Sequence, residues 1–164
     1  MRFLLALFIL FISILANDVH PNSLALLKSI ESHSIRIGSG THHHYVFIDP
    51  LCPKSQAYVQ LLFEKKQLYV DNSYFLFFYP LPRFNSEDHI AYIYHAAEPK
   101  EAIKQIMIDT EPLFLDEIEL SEKTQKRIQQ INAVAKKFTM KRRPYILSFE
   151  EGSDFCTVSE GTAP

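Results

Sequence analysis

The chain has no tryptophan, four glycines and two cysteines among its 164 residues. Two cysteines cannot build the disulfide framework that staples small exported domains. The fold must therefore hold by its apolar core, which 13 Phe and 8 Tyr help to supply. Neither sign of charge dominates: 17 Lys and Arg face 19 Asp and Glu, a net of −2, which argues against a nucleic-acid partner. There is no internal repeat and no low-complexity tract. Phe3 to Leu15 is apolar except for Ser13, shorter than the roughly 20 residues a membrane-spanning helix needs.

That run follows a basic start, Met1-Arg2, and precedes Ala16 and the polar Asn17-Asp18. The pattern is that of a secretory signal, with cleavage near Ala16 expected; an uncleaved N-terminal anchor is the alternative. Either way the rest of the chain is expected outside the cytoplasm, periplasmic or secreted. What remains is long enough for one domain with its own core.

Cys52 stands out by its surroundings, Tyr45-Val46-Phe47-Ile48-Asp49-Pro50-Leu51-Cys52-Pro53-Lys54-Ser55. The apolar run reads as a buried strand that breaks at Asp49-Pro50. Proline suits the first helical position, where its missing N–H costs nothing. The sulfur is thus expected at a helix N-terminus, where free N–H groups and the helix dipole favour a thiolate. An inert buried thiol is the alternative.

The remaining pattern alternates strands and helices. Residues 22–33 form a short helix behind Asn22 or Ser23, and 35–37 a short strand ended by Gly38-Ser39-Gly40. A strand over 45–49 leads into a helix from Pro53 to about Lys66, with Tyr58, Leu61 and Leu62 on one face. Tyr74 to Tyr79 is apolar at every position, so it reads as a central strand covered on both sides. Ser86-Glu87-Asp88 opens a helix whose inner face is Ile90, Ile93, Tyr94 and Ala97, and Pro99 opens another with Ala102, Ile103, Ile106 and Met107. Residues 109–120 read as an irregular acidic stretch. Ser121 caps a last helix reaching about Phe138, with Ile128, Ile131, Val134 and Ala135 inward. Residues 145–149 and 155–158 make a terminal hairpin around a turn at 150–154. A strand, a helix and a returning strand imply a right-handed parallel unit, to which the hairpin adds antiparallel strands. The predicted fold is α/β, a thioredoxin-like mixed sheet with a helical insertion near 86–120. The predicted division is a signal peptide at 1–16, a short N-terminal segment at 17–44 and the main domain at 45–164.

Four stretches resemble the periplasmic thiol–disulfide oxidoreductases of DsbC/DsbG type. They are Val46 to Pro53, Phe77-Phe78-Tyr79-Pro80-Leu81, Ile90 to Ala97 ahead of Pro99-Lys100-Glu101-Ala102, and Ala133 to Leu147. The resemblance covers roughly residues 35–158. It implies that Pro144 is a cis-proline whose loop abuts Cys52 and pairs with an extended substrate. Arg143 and Tyr145 would then contact substrate, as would Pro53 and Lys54. Three departures matter. The family's Cys-x-x-Cys ends here in Ser55, Arg143 stands where Thr or Val is usual, and 17–44 is too short for the isomerases' dimerisation domain.

A serine hydroxyl cannot resolve a mixed disulfide, though it can donate a hydrogen bond to a thiolate. Two-electron chemistry within Cys-Pro-Lys-Ser is therefore excluded, and monothiol exchange through Cys52 remains. Cys156, on the expected edge strand, is normally too far to pair with it and reads as a structural or free thiol; a C-terminal rearrangement that brings it over Cys52 is the alternative. The Lys141-Arg142-Arg143 run either brings positive charge to the thiolate or is a solvated loop. Asp49 either tunes the thiol or merely forms the turn. His42-His43-His44 alternate faces on a strand and cannot share one ion, so they read as an exposed loop, and His95 as a packed or boundary residue. No metal and no cofactor is expected. The expected partners are exported proteins bearing cysteines, or a membrane redox protein. A non-catalytic thioredoxin-like binding or chaperone-type module is the competing reading. A peroxide-reducing enzyme has less support, because no Thr or Ser lies three residues before Cys52.

Overall fold

A computed structural model describes residues 22–110 and 120–161. The expected signal peptide at 1–16 and most of the acidic stretch at 109–120 lie outside the described residues. One five-stranded mixed sheet runs β1-β3-β2-β4-β5, made of β1 (Ile35–Gly38), β2 (His42–Ile48), β3 (Asn72–Phe78), β4 (Tyr145–Phe149) and β5 (Cys156–Glu160). β2 pairs parallel with β3, Phe47 opposite Phe77, and antiparallel with β4, Phe47 opposite Tyr145. Among the described residues five α-helices accompany the sheet: α1 (Ser23–Ile30), α2 (Pro53–Glu64), α3 (Glu87–His95), α4 (Pro99–Met107) and α5 (Glu122–Ala135). This is the α/β, thioredoxin-like mixed sheet, with α3 and α4 inserted between β3 and α5.

The central strands are apolar at nearly every position because both sheet faces are covered. Tyr45 through Ile48 and Ser73 through Phe78 are buried. Aromatic rings stack across the β2–β3 pair, Phe47 on Phe77 at 5.1 Å and Tyr45 on Phe75 at 5.0 Å. Such contacts add about 0.5–1.5 kcal/mol each beyond simple burial. At the β1–β2 turn a side chain on Gly40 would collide with the Asp71–Asn72 backbone, so only glycine fits. Ser121 caps α5 by accepting a hydrogen bond from the Thr124 N–H at 3.3 Å.

Several expectations need correction. His42 to His44 begin β2 rather than forming a loop, because their backbone pairs with β3 on one side and, at His43 and His44, with β4 on the other. A boundary at residue 45 therefore falls inside a strand, and β1 belongs to the same sheet as the rest. Ala97 and His95 are exposed, since α3 ends at His95 and turns outward. Leu61 and Ile128 are only half-buried, and Val59 takes the inward position on α2. Phe155 precedes β5 and is 90 % exposed.

Candidate active site

Cys52 is the N-cap of α2, in an extended conformation, with Pro53 at the first helical position. The turn that delivers it is tied down locally. Asp49 Oδ1 accepts from the Leu51 N–H at 2.9 Å, and the Asp49 carbonyl accepts from the Cys52 N–H at 3.1 Å. Gln56 reaches back with its side-chain amide to the Pro50 carbonyl at 3.0 Å. The sulfur thus sits at the positive end of the α2 dipole. It is 2 % exposed, and it lies 3.9 Å from the Arg143 carbonyl.

Asp49 forms the turn and also ties it to the next segment of chain. Its Oδ2 accepts from the Leu81 N–H and from Ser86 Oγ, the latter at 2.9 Å. Ser86 therefore spends its hydroxyl on Asp49 rather than on capping α3. Both carboxylate oxygens are engaged in a fully buried setting, which supports the turn-forming role. Ser55 is also fully buried, and its Oγ accepts from the Asp49 N–H at 3.3 Å. The hydroxyl is thus bonded to the turn's backbone and not to the sulfur.

The Arg143–Pro144 peptide bond is cis, and its loop lies against Cys52. The end of β5 fastens this loop. Gly161 N–H donates to the Pro144 carbonyl at 2.8 Å, Glu160 Oε1 accepts from the Lys141 and Arg142 N–H groups, and Lys54 Nζ donates to the Gly161 carbonyl at 2.7 Å. Lys141 and Arg142 point their side chains into solvent, as a solvated loop would, but Arg143 is only 2 % exposed. Its guanidinium lies 4.9 Å from the centre of the Tyr79 ring, a cation–π contact. One Nη donates to the Arg142 carbonyl at 3.0 Å, while Nε has no partner. Burial lowers this guanidinium's pKa from the ordinary value; Tyr79, Asp49, Glu160 and Cys52 act in the opposite sense.

Of the seven residues singled out from the sequence, Cys52, Pro53, Lys54, Ser55, Arg143 and Pro144 converge here. Tyr145 follows the cis-proline at the start of β4; it is buried, with its ring 6.4 Å from that of Phe138, and that burial raises its phenol pKa. The reading from sequence missed Tyr79, Ser86, Glu160 and Gly161 as neighbours of the site. Only Tyr79 left a signal, as the aromatic that follows a central strand.

Cys156 lies at the other end of the sheet. It pairs with Phe149, which pairs with His43, whereas Cys52 follows the far end of β2. Five residues of strand at about 3.3 Å each put the thiols far beyond the roughly 4.4–6.8 Å Cα separation of a disulfide. Both are free. Near Cys156, His44 stacks on Tyr74 at 4.8 Å. Its Nε2 meets Asn72 Oδ1 at 2.7 Å and its Nδ1 meets Ser148 Oγ at 2.8 Å. The Asn72 oxygen can only accept, so Nε2 carries the proton and Nδ1 accepts from Ser148. Burial lowers the His44 pKa, and His42 and His43 add to that. Among the described residues there is no group of three or more potential metal ligands, and no helix is long and apolar enough to cross a membrane.

No protein-family model matches the chain, and no curated protein does. Solved structures do. A disulfide interchange protein from Neisseria gonorrhoeae superposes with a TM-score of 0.60 at 12 % identity, over 82 % of this chain and 89 % of that one. Pseudomonas aeruginosa DsbA2 gives 0.61 at 15 %, over 80 % and 87 %. The catalytic domain of Proteus mirabilis ScsC gives 0.54 at 17 %, over 85 % and 90 %. At such identities the likeness is one of fold: the chain has a thioredoxin-like fold.

Proposed function

We propose that this is an exported thioredoxin-fold protein that exchanges disulfides through a single thiol, Cys52. The observation that carries the reading is the setting of that sulfur, at the N-cap of α2 and against the cis-proline loop. Ser55 occupies the place of a second cysteine and Cys156 lies out of reach. A Cys52 thiolate attacks a partner's disulfide, forms a mixed disulfide and expels the partner's other sulfur as a thiolate. With no resolving thiol on the chain, a second thiol must complete the exchange. This is chemistry suited to isomerisation or to capture of an exported protein or a membrane redox partner. The likeness to a disulfide interchange protein supports exchange and the apolar N-terminal run supports export; a DsbC/DsbG-type specialisation rests on the sequence resemblance.

One observation favours the second reading, a binding or chaperone-type module: Cys52 is almost completely covered. Labelling of the folded protein with a small thiol reagent across pH separates the two. Reaction of Cys52 well below pH 8 supports exchange. Reaction only after unfolding supports the binding module.

A further inference from the structure

The end of the sheet far from Cys52 holds a second group of polar side chains. Strand pairing brings them together: His44 on β2 stands opposite Ser148 on β4, and its neighbour two residues back, His42, stands opposite Asn72 on β3. Residues two apart on a strand share a face, as do residues directly opposite. Ser148 Oγ donates to His44 Nδ1 at 2.8 Å, and His44 Nε2–H donates to Asn72 Oδ1 at 2.7 Å. The Asn72 amide is held in that orientation because its Nδ2 donates to the Leu68 carbonyl at 3.0 Å. The tautomer is therefore fixed, with Nδ1 as the acceptor. The ring lies on Tyr74, with 4.8 Å between centres and 16° between planes. Burial lowers the His44 pKa, so the imidazole is neutral near pH 7 and free to take a proton. A cavity of about 500 Å³ opens onto His44, Asn72 and Ser148. Phe149 and Phe155 give it an apolar wall, and the Glu150 carboxylate there disfavours anions.

We propose that Ser148, His44 and Asn72 form a hydrolytic site for uncharged carboxylic esters, with Ser148 as nucleophile, His44 as general base and Asn72 as positioning residue. The site is independent of thiol exchange at the other end of the sheet. Ser148 Oγ attacks the ester carbonyl carbon while its proton passes to His44 Nδ1. The tetrahedral adduct collapses, the carbon–oxygen bond to the alcohol breaks, and the departing oxygen takes the proton from Nδ1. Water then attacks the acyl-serine by the same route, giving the carboxylic acid and restoring the serine hydroxyl. Nothing is oxidised or reduced. Thr157, directly opposite Ser148 on β5 and in the wall of the same cavity, offers a hydroxyl donor for the oxyanion. Asn72 is neutral, so it orients the imidazolium without offsetting its charge. That suits esters with good leaving groups rather than amides.

The test treats the folded full chain with diisopropyl fluorophosphate and maps the adduct by peptide mass spectrometry, while hydrolysis of 4-nitrophenyl butyrate is followed in parallel. A phosphoryl group is expected on Ser148. Esterase activity should fall by roughly 10²-fold in Ser148→Ala and in His44→Asn, the scale on which a positioned base contributes. Asn72→Ala should lower kcat and leave KM nearly unchanged, a split that mere loosening of the cavity would not give. The mapping needs no variant, so it decides the matter even where a substitution unfolds the chain. No adduct on Ser148, or a folded Ser148→Ala chain that hydrolyses the ester at the unmodified rate, overturns the inference and leaves the exchange reading untouched.

Discussion

The two ends of the sheet carry one thiol each, and the contrast between them explains why only one is a candidate nucleophile. Cys52 stands at a helix N-cap and against the cis-proline loop, with its sulfur 3.9 Å from the Arg143 carbonyl. Cys156 stands on an edge strand, half-buried, and burial raises its pKa with no cation to oppose it. At the Cys156 end a cavity of about 500 Å³ is bordered by His44, Ser148 and Phe155, and Cys156 sits on a strand rather than at a helix terminus. The helix terminus and the cis-proline loop, rather than open space, distinguish the Cys52 end.

The largest expected effect breaks the comparison directly. Cys52→Ala should abolish mixed-disulfide capture, whereas Cys156→Ala should leave it nearly unchanged; trapping of a disulfide-bonded substrate on a non-reducing gel reads both. Comparable losses would mean that the two thiols act as a pair. Next, Ser55→Cys should create or sharply raise insulin reduction, since residue 55 lies on the first turn of α2 beside Cys52. The side chain there is buried and bonded to the Asp49 N–H, so a stability loss of about 1 kcal/mol should accompany the gain.

Asp49→Ala should destabilise the protein by about 2–4 kcal/mol in urea unfolding, because the Leu81 N–H and Ser86 hydroxyl lose their buried acceptor. Ser86→Ala, which removes one donor and leaves the carboxylate two others, should cost less. At the opposite end the effect is smaller and depends on pH. The His44 pKa is lowered in the folded state, so the unfolded chain binds its proton more readily. Its contribution is complete above the unfolded value near 6.5 and is lost as pH falls through the folded value. His44→Asn should therefore flatten the decline in melting temperature between pH 7 and pH 5 without altering thiol capture.

Much of this contrast was legible in the sequence where the signal was local. The all-apolar run 74–79 marked a strand buried on both faces, Pro53 marked the start of α2, and Ser121 marked that of α5. What was not legible depends on distant chain. His44 reads as loop until Asn72 and Ser148 are brought beside it by β3 and β4. Lys141-Arg142-Arg143 reads equally as a solvated run or as charge brought to the site, and only the placement of Tyr79 shows which of the three goes inside. Asp49-Pro50 announces a turn, but nothing near it in sequence announces that Leu81 and Ser86 will complete the carboxylate's shell. Tyr145 differs for a related reason: next to the cis-proline it reads as a surface contact, whereas the fold buries it with its ring beside that of Phe138.

The most direct test of the central claim is to hold the folded protein with a peptide disulfide at neutral pH, quench with acid, and map the adduct by mass spectrometry. The account predicts peptide linked to Cys52 and none on Cys156. Adduct on Cys156 alone, or on neither thiol until the protein is unfolded, would contradict it.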